Sequence, residues 1–372
     1  MVRIFHTSDT HLGHQQYPRT APSGLNQREQ DHTDTWDHLV GLACQEKPDL
    51  FVHAGDLFDG VRPSNRALAT ALEGFLRLGQ AGVHVVVIAG NHETPRLRET
   101  GSPFRLFDHL PNVHAVYKGR RESIVIQTGG GPITVHAVPQ CPSEEALQQE
   151  VAGAERGDGA NLLVLHGTVH SLPAFRHAEF NELTLHLDWF DDRFDYVALG
   201  HHHGAQEVTS RSWYCGAPDR VSMAEAGEPK GFLDVQVEPG ATPEVAFREL
   251  AGRPYMDLPA VTAGGLGADA IAVAAIAALE RAPDGSVARL RINDLDPSLR
   301  GQLPLDAIRQ AAARLLHLDL RLEWADISLR VKGAPELRGL SEEFEAYAAQ
   351  HPIEGLDRER LLALARASLE AA

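Results

Sequence analysis

The sequence predicts a layered α/β fold of the αββα kind, followed by a small α+β domain and a helical tail. Three observations point there. Apolar strand-like runs alternate with amphipathic helices through residues 1–252. At 372 residues the chain is too long for one ordinary core, so a large domain with something smaller appended is expected. The character of the chain changes near Gly252-Arg253-Pro254, which sets the expected domains at 1–252, 253–333 and 334–372.

Val2-Arg3-Ile4-Phe5 opens as a strand. Residues 17–30 read as polar and irregular, and a helix then carries Trp36, Leu39, Val40 and Ala43 at i, i+3, i+4, i+7 until Lys47-Pro48-Asp49. A strand at Leu50 to His53 follows. Pro63-Ser64 starts a helix with Leu68, Leu72, Phe75 and Leu76 on one face, and Val83 to Ile88 is a buried strand. Ser123 to Gln127 and Ile133 to Val138, around Gly129-Gly130-Gly131, read as a hairpin, with a helix from Ser143 to Glu155 behind it. Strands are expected at Asn161 to Leu165 and Tyr196 to Leu199. Short strands at 205–209, 212–215, 231–237 and 245–250 are expected to close a second sheet. Residues 255–332 alternate strands with an alanine-rich helix and a second helix, Leu305 to Leu316. Past Gly333-Ala334-Pro335, Ser341 caps a helix bearing Phe344, Tyr347 and Ala348, and Asp357 starts another with Leu361, Leu362, Leu364 and Leu369.

The longest apolar run, Ala270 to Leu279, is about half of what a bilayer requires. No membrane span is expected. Met1 leads straight into a strand with no signal-peptide pattern, so a cytoplasmic protein is expected. Cys44, Cys141 and Cys215 are isolated, which indicates neither a disulfide framework nor a zinc ribbon. A formal charge of −17 argues against a generally sticky nucleic-acid binder. It leaves room for an enzyme whose bound cations concentrate positive charge where a phosphate must sit.

Five clusters of oxygen and imidazole donors stand just past strand ends: Asp9-Thr10-His11, Gly55-Asp56-Leu57-Phe58-Asp59, Gly90-Asn91-His92-Glu93, Leu165-His166-Gly167 and Gly200-His201-His202-His203. The C-terminal edge is where open α/β sheets place ligands. Mixed carboxylate, amide and imidazole donors suit Mn, Fe or Zn held as a pair, about 3.5–4 Å apart, for in-line attack on a phosphoester. Asp56 is the natural bridge. Taken singly, each cluster is weak, because aspartates and histidines at strand ends commonly cap turns; five in this order point to a two-metal phosphoesterase.

The wording of these segments resembles the calcineurin-type metallophosphoesterase superfamily, in detail its SbcD nuclease branch. His6-Thr7-Ser8-Asp9-Thr10-His11-Leu12-Gly13, His53-Ala54-Gly55-Asp56-Leu57-Phe58-Asp59, Ile88-Ala89-Gly90-Asn91-His92-Glu93, Tyr214-Cys215-Gly216-Ala217-Pro218-Asp219-Arg220 and Lys230-Gly231-Phe232 carry the likeness. The resemblance implies Asp9, His11, Asp56 and His203 on one metal and Asp56, Asn91, His166 and His201 on the other, with two Mn²⁺ as cofactors. It assigns His92 to transition-state stabilisation or to protonation of the leaving oxygen, work that suits an imidazole. It implies a DNA nuclease acting by two-metal hydroxide attack, as a 3′ to 5′ exonuclease on double strands and an endonuclease on single strands and hairpins. It also implies a homodimer, a small domain that caps the site, and a helical tail that docks on an SbcC-like SMC-type ABC ATPase. The chain has no Gly-x-x-x-x-Gly-Lys-Ser/Thr motif, so ATP dependence would come from that other subunit. A small-molecule phosphodiesterase or nucleotidase on the same core, and a docking scaffold with dispensable catalysis, are the alternatives.

Asp59 is open between second-shell bonding, DNA positioning and capping a turn. His202, between two candidate ligands, is expected to pack or face solvent. His6, His14, His53, His136, His170 and His186 are taken as structural, with His14 close enough to the site to matter. Arg62, Arg66, Arg96, Arg98 and Arg105, and the group Lys118, Arg120 and Arg121, read either as phosphate holders or as solvated charge.

Overall fold

A computed structural model describes residues 1–95, 100–169 and 182–325. Arg96, Arg98, His170, the end of the expected small domain past residue 325 and the tail helices lie outside the described residues.

The chain starts β1 (Val2–Thr7), α1 (Gln27–Glu46), β2 (Leu50–His53), α2 (Asn65–Gln80), β3 (His84–Ile88), β4 (Val113–Val116). Helix α1 begins earlier than its apolar spacing suggests, because the Asn26 side chain accepts from the N–H groups of Arg28 and Glu29. It stops at Lys47, which takes a left-handed conformation with φ 49°. The Ser64 side chain caps α2 through the N–H of Ala67. Strands β1 to β4 pair parallel in order.

There follow β5 (Glu122–Thr128), β6 (Gly131–Ala137), α3 (Glu144–Ala152), β7 (Ala160–His166), β8 (Thr168–Val169), β9 (Thr184–Leu185), β10 (Tyr196–Gly200), β11 (Gln206–Thr209) and β12 (Ser212–Tyr214). A second six-stranded sheet runs β11-β12-β10-β7-β6-β5. The next two strands, β13 (Gly231–Val237) and β14 (Glu244–Glu249), were expected there as well. They instead complete the first sheet, in the order β14-β13-β1-β2-β3-β4. Long-range contacts place β13 there: Leu233, Val235 and Val237 enter the core between the sheets, while on the other face the Phe232 ring packs 4.7 Å from that of Phe5 and Asp234 pairs with Arg3. The place beside β1 supplies the apolar cover for the inner face and, for the outer one, an aromatic partner and a cation.

Alternation along the strands makes the layers. Ile4, Leu50, Val52 and Ile88 meet Val135, Leu162, Val164 and Ala198 between the sheets. Phe5, Phe51, Val85 and Val87 face Trp36, Leu39, Val40 and Phe75 of α1 and α2. Leu163, Leu165 and Val197 face outward onto Leu147 and Val151 of α3. The layer order is therefore αββα.

Beyond it come β15 (Tyr255–Asp257), β16 (Val261–Thr262), α4 (Ala268–Leu279), β17 (Val287–Leu295), α5 (Leu305–Ala311) and β18 (His317–Trp324). Strands and helices are both present here, as expected, with a regular connectivity. All pairings are parallel, β15 and β16 along one edge of β17 and β18 along the other. Ile271, Ala275, Leu279 and Ile308 pack on Leu290 and Ile292 as a separate core. Side chains from the loop before α1 and its first turns reach this unit: Asp31 takes Arg253 at 2.5 and 2.6 Å, and Tyr17 stacks on His317 at 4.0 Å. Among the described residues, no helix is long and apolar enough to cross a membrane.

Candidate metal centre

Two loops leave the ends of β1 and β2 and continue side by side past the sheet. Asp9 N–H donates to Gly55 O at 2.9 Å, His11 N–H to Asp56 O at 3.1 Å and Leu12 N–H to Leu57 O at 2.9 Å. This lattice brings Asp9 and His11 against Asp56. The turns are tight enough to force positive φ on Asp9 (52°), His11 (44°), Asp56 (53°) and His201 (98°), none of them glycine. Strained backbone of this kind persists only where the surroundings over-determine it, and it clusters at functional sites. Glycines make the remaining approaches possible: a Cβ on Gly90 would run into Asp56 Oδ1, and one on Gly55 into the His166 ring.

All eight side chains singled out in the sequence meet in one cluster. Asp9, His11 and His203 offer ligand atoms within 4.8 Å of one another, as do Asp56, His166 and His201. Asn91 Oδ1 joins the second group, 2.9 Å from His166 Nε2 and 3.3 Å from His201 Nδ1. A third group, His11, Asp56 and His92, links the two halves at Asp56. The Asp9 carboxylate accepts from the His201 N–H at 3.1 Å and from the Ser8 hydroxyl.

The imidazoles share one arrangement, with one ring nitrogen held from outside and the other turned inward. His166 Nδ1 donates to Ala54 O at 2.8 Å, leaving Nε2 3.3 Å from Asp56 Oδ2. His203 Nδ1 lies 3.2 Å from Glu225 Oε1, and its Nε2 is 3.3 Å from His11 Nε2. His11 Nδ1 faces Asp59 Oδ1 at 3.4 Å, and His201 Nε2 faces Glu182 Oε1 at 3.4 Å. His92 Nδ1 donates to the Asp59 carbonyl at 3.2 Å, which turns Nε2 toward Asp56. Outer partners of this type fix tautomer and ring orientation for metal ligation.

Electrostatics follow the same geometry. Burial would raise the Asp56 carboxyl, but His166, His11 and His92 hold it well below the ordinary carboxylate range. Burial would lower His166, yet Asp56 raises it to about 9. A metal would displace that proton. Glu93, fully buried below the cluster, is pushed up to about 8 by burial and by Asp56.

Buried, anionic at Asp56, and rich in inward-facing nitrogen and carboxylate oxygen, the donor set fits two divalent ions of borderline hardness. Residues 2–225 match the model of the calcineurin-like phosphoesterase family. The chain belongs to that family. Among curated relatives of this phosphoesterase, the DNA double-strand break repair protein Mre11 of Haloferax volcanii is 32% identical over 262 residues, 68% of this chain and 54% of that protein. The proteins of the same name from Sulfurisphaera tokodaii and Saccharolobus solfataricus are 30% and 29% identical, over 54% and 64% of this chain and 49% and 57% of theirs. The chain thus spans about half the length of the curated relatives it matches. A solved structure of a dimetal phosphatase from Danio rerio aligns with a TM-score of 0.39 at 13% identity, covering 66% of this chain and 99% of that one.

Other residues of the phosphoesterase resolve as follows. His202 packs on Tyr214, ring centroids 5.6 Å apart. His6 bonds the Tyr196 hydroxyl at 2.9 Å, His53 the Thr10 hydroxyl at 3.0 Å, and His136 that of Ser123 at 3.0 Å. His14 lies beside Asp59 at 3.1 Å, so Asp59 holds two histidines by its carboxylate and a third, His92, by its carbonyl. Sequence reasoning left Asp59 open and missed Glu182 and Glu225. The signal for Glu225 was its place just before Lys230-Gly231-Phe232. Lys230, fully buried, contacts Glu225 Oε2 at 2.7 Å.

Proposed function

We propose that the chain is a metal-dependent DNA nuclease that processes double-strand breaks, with two Mn²⁺ as its working ions. The observation that carries this reading is the common arrangement of five imidazoles around Asp9 and Asp56, each with its outer nitrogen facing a carboxylate or carbonyl oxygen and its other nitrogen turned to the cluster. The named relatives, all double-strand break repair proteins, support DNA as the substrate.

Asp9, His11, Asp56 and His203 would hold one ion, and Asp56, Asn91, His166 and His201 the other. Bound there, the ions supply charge neutralisation on the phosphoryl oxygens and an acidified water. The protein's own groups do the rest. Asp59 O holds His92 Nδ1, so that in the imidazolium form the Nε2–H points over Asp56, where a phosphate oxygen or leaving oxygen would receive it. Glu225, Asp59 and Ala54 O keep His203, His11 and His166 from rotating away.

The finer reading is a 3′ to 5′ exonuclease on double strands and an endonuclease on single strands and hairpins, working as a homodimer with an SMC-type ABC ATPase. Residues 253–333 would cap the site, and residues 334–372 would dock the ATPase. Digestion of end-labelled duplex and hairpin DNA with Mn²⁺, beside bis-p-nitrophenyl phosphate as a small diester, tests the core of this. Metal-dependent DNA cleavage is expected; turnover of the small diester alone, with and without the ATPase, would defeat the nuclease. Deleting residues 335–372 should abolish capture of the ATPase and spare cleavage of short DNA.

A further inference from the structure

A cleft of about 930 Å³ opens beside the Asn91 edge of the metal centre and leads away from it. It is lined by the turn at Ser102 to Arg105, by Pro142 and Leu183, and by residues 117–120 after β4. Arg105, Lys118 and Arg120 line it, on a chain of net charge −17. No described carboxylate forms an ion pair with any of the three, and Lys118 Nζ rests 5.2 Å over the Tyr117 ring. Many other cations of the chain are committed to carboxylates: Arg3 and Arg248 to Glu46, Arg156 to Asp195, Arg253 to Asp31, Lys230 to Glu225. Among the described residues lining the cleft, the acidic side chain is Glu182, which faces His201.

Unpaired cations in a recess that begins at a phosphoryl-transfer centre call for an anion that continues past the reacting phosphate. The recess is the size that takes a drug-sized ligand, about 300–1,000 Å³. A few nucleotides of one strand suit a recess of that volume, which leaves little room for a second strand. Among the described residues one aromatic side chain, Tyr117, lines it, so the grip of these residues falls on the backbone and is indifferent to sequence. Resting on the nuclease reading above, we infer that this cleft receives an extended single strand on the Asn91 side of the scissile bond, with Arg105, Lys118 and Arg120 on its phosphates.

The test compares binding of fluorescein-labelled oligothymidylate with that of a duplex of equal length, by anisotropy in Ca²⁺, for the full chain and its Arg105→Gln/Lys118→Gln/Arg120→Gln variant. Single-strand affinity should fall about tenfold or more, and the slope of log K against log salt should shrink by about 2, at roughly 0.7 per lost phosphate contact. Duplex affinity should stay within about twofold. An Arg105→Lys/Arg120→Lys variant, which keeps the charge, should retain most of the single-strand affinity. Turnover of bis-p-nitrophenyl phosphate in Mn²⁺ should be unchanged in both variants, which keeps folding and the metal centre apart from the cleft. Unchanged single-strand binding, or an equal loss for single strand and duplex, overturns the inference. A wild-type chain that hydrolyses the small diester and cuts no DNA, with or without the ATPase, sinks the nuclease reading by itself, since the binding comparison needs no cleavage.

Discussion

The backbone N–H of His92 donates to Asp56 Oδ1 at 3.0 Å, while the ring of the same residue stops with Nε2 3.9 Å from Asp56 Oδ2. The main chain of His92 therefore orients Asp56, while its ring is held by the Asp59 carbonyl and, in the proposed reaction, would act on the substrate. Replacing His92 by Ala removes the ring and keeps the N–H. Metal content should survive, with turnover falling by about 10²–10⁴, the range for loss of a proton-transferring group. Elemental analysis beside steady-state kinetics checks both halves; loss of both ions with the ring would make His92 a ligand.

Lys230 and Glu225 act on the other half of the cluster. Burial would raise the Glu225 carboxyl, but His203 and Lys230 hold it far below the ordinary range. Glu225→Gln keeps the shape and weakens the hold on His203, so affinity for the ion bound by Asp9, His11 and His203 should fall about 10–100-fold. Lys230→Met instead strands a buried carboxylate and should cost about 3–5 kcal/mol. Metal titration by calorimetry and urea unfolding separate the two effects. Equal behaviour of both variants would mean that Glu225 serves the fold alone.

The parts of this fold legible in the sequence are those where a residue's role depends on its own neighbours in the chain. Asp9, Asp56, Asn91, His166 and His201 each follow an apolar run, so strand periodicity placed them on one edge. Ser64, Ser143 and Lys47 mark helix ends by local chemistry. What stayed hidden depends on long-range pairing. Nothing in Gly231 to Val237 tells β1 from β10 as its neighbour, and that choice rests on partners far away in the chain, Phe5 for Phe232 and Arg3 for Asp234. Asp59 stayed open and Glu225 was missed because a carboxylate that orients a histidine looks, in sequence, like one that caps a turn.

Arg28 tests the attachment of the small domain. Its side chain is fully buried, with Nη1 2.5 Å from Asp31, Nη2 3.2 Å from Asp219 and 2.6 Å from Arg220 O, and its guanidinium 5.2 Å from the Tyr255 ring centre. Arg28→Met leaves Asp219 buried without its cation and should destabilise by about 3–5 kcal/mol. Adding Asp219→Asn should recover part of that loss, because the stranded charge is gone. Urea unfolding of the four proteins gives the coupling; strict additivity would show that the pair is not the origin of the cost.

Stability should fall on both sides of neutrality in metal-free protein, for opposite reasons. Burial lowers His6 and His53 to about 3 and His32 to about 4, from 6.5. Below 6.5 the unfolded chain takes up protons that the folded chain refuses, so stability present above 6.5 is lost as pH falls. Each of the three contributes up to about 1.4 kcal/mol per pH unit, a ceiling of about 4 kcal/mol between pH 6.5 and 5.5. His166 runs the other way, raised to about 9 beside Asp56. Its contribution is complete below 6.5 and is lost as pH climbs from there through about 9. Urea unfolding in EDTA from pH 5.5 to 9 should trace both limbs. His32→Asn should flatten the acid limb only, and saturating Mn²⁺ should abolish the alkaline one, because the ion displaces the proton on which it depends. A flat acid limb would mean that these histidines are not held neutral by the fold, and an alkaline limb unchanged by Mn²⁺ would place the titrating proton away from the metal centre.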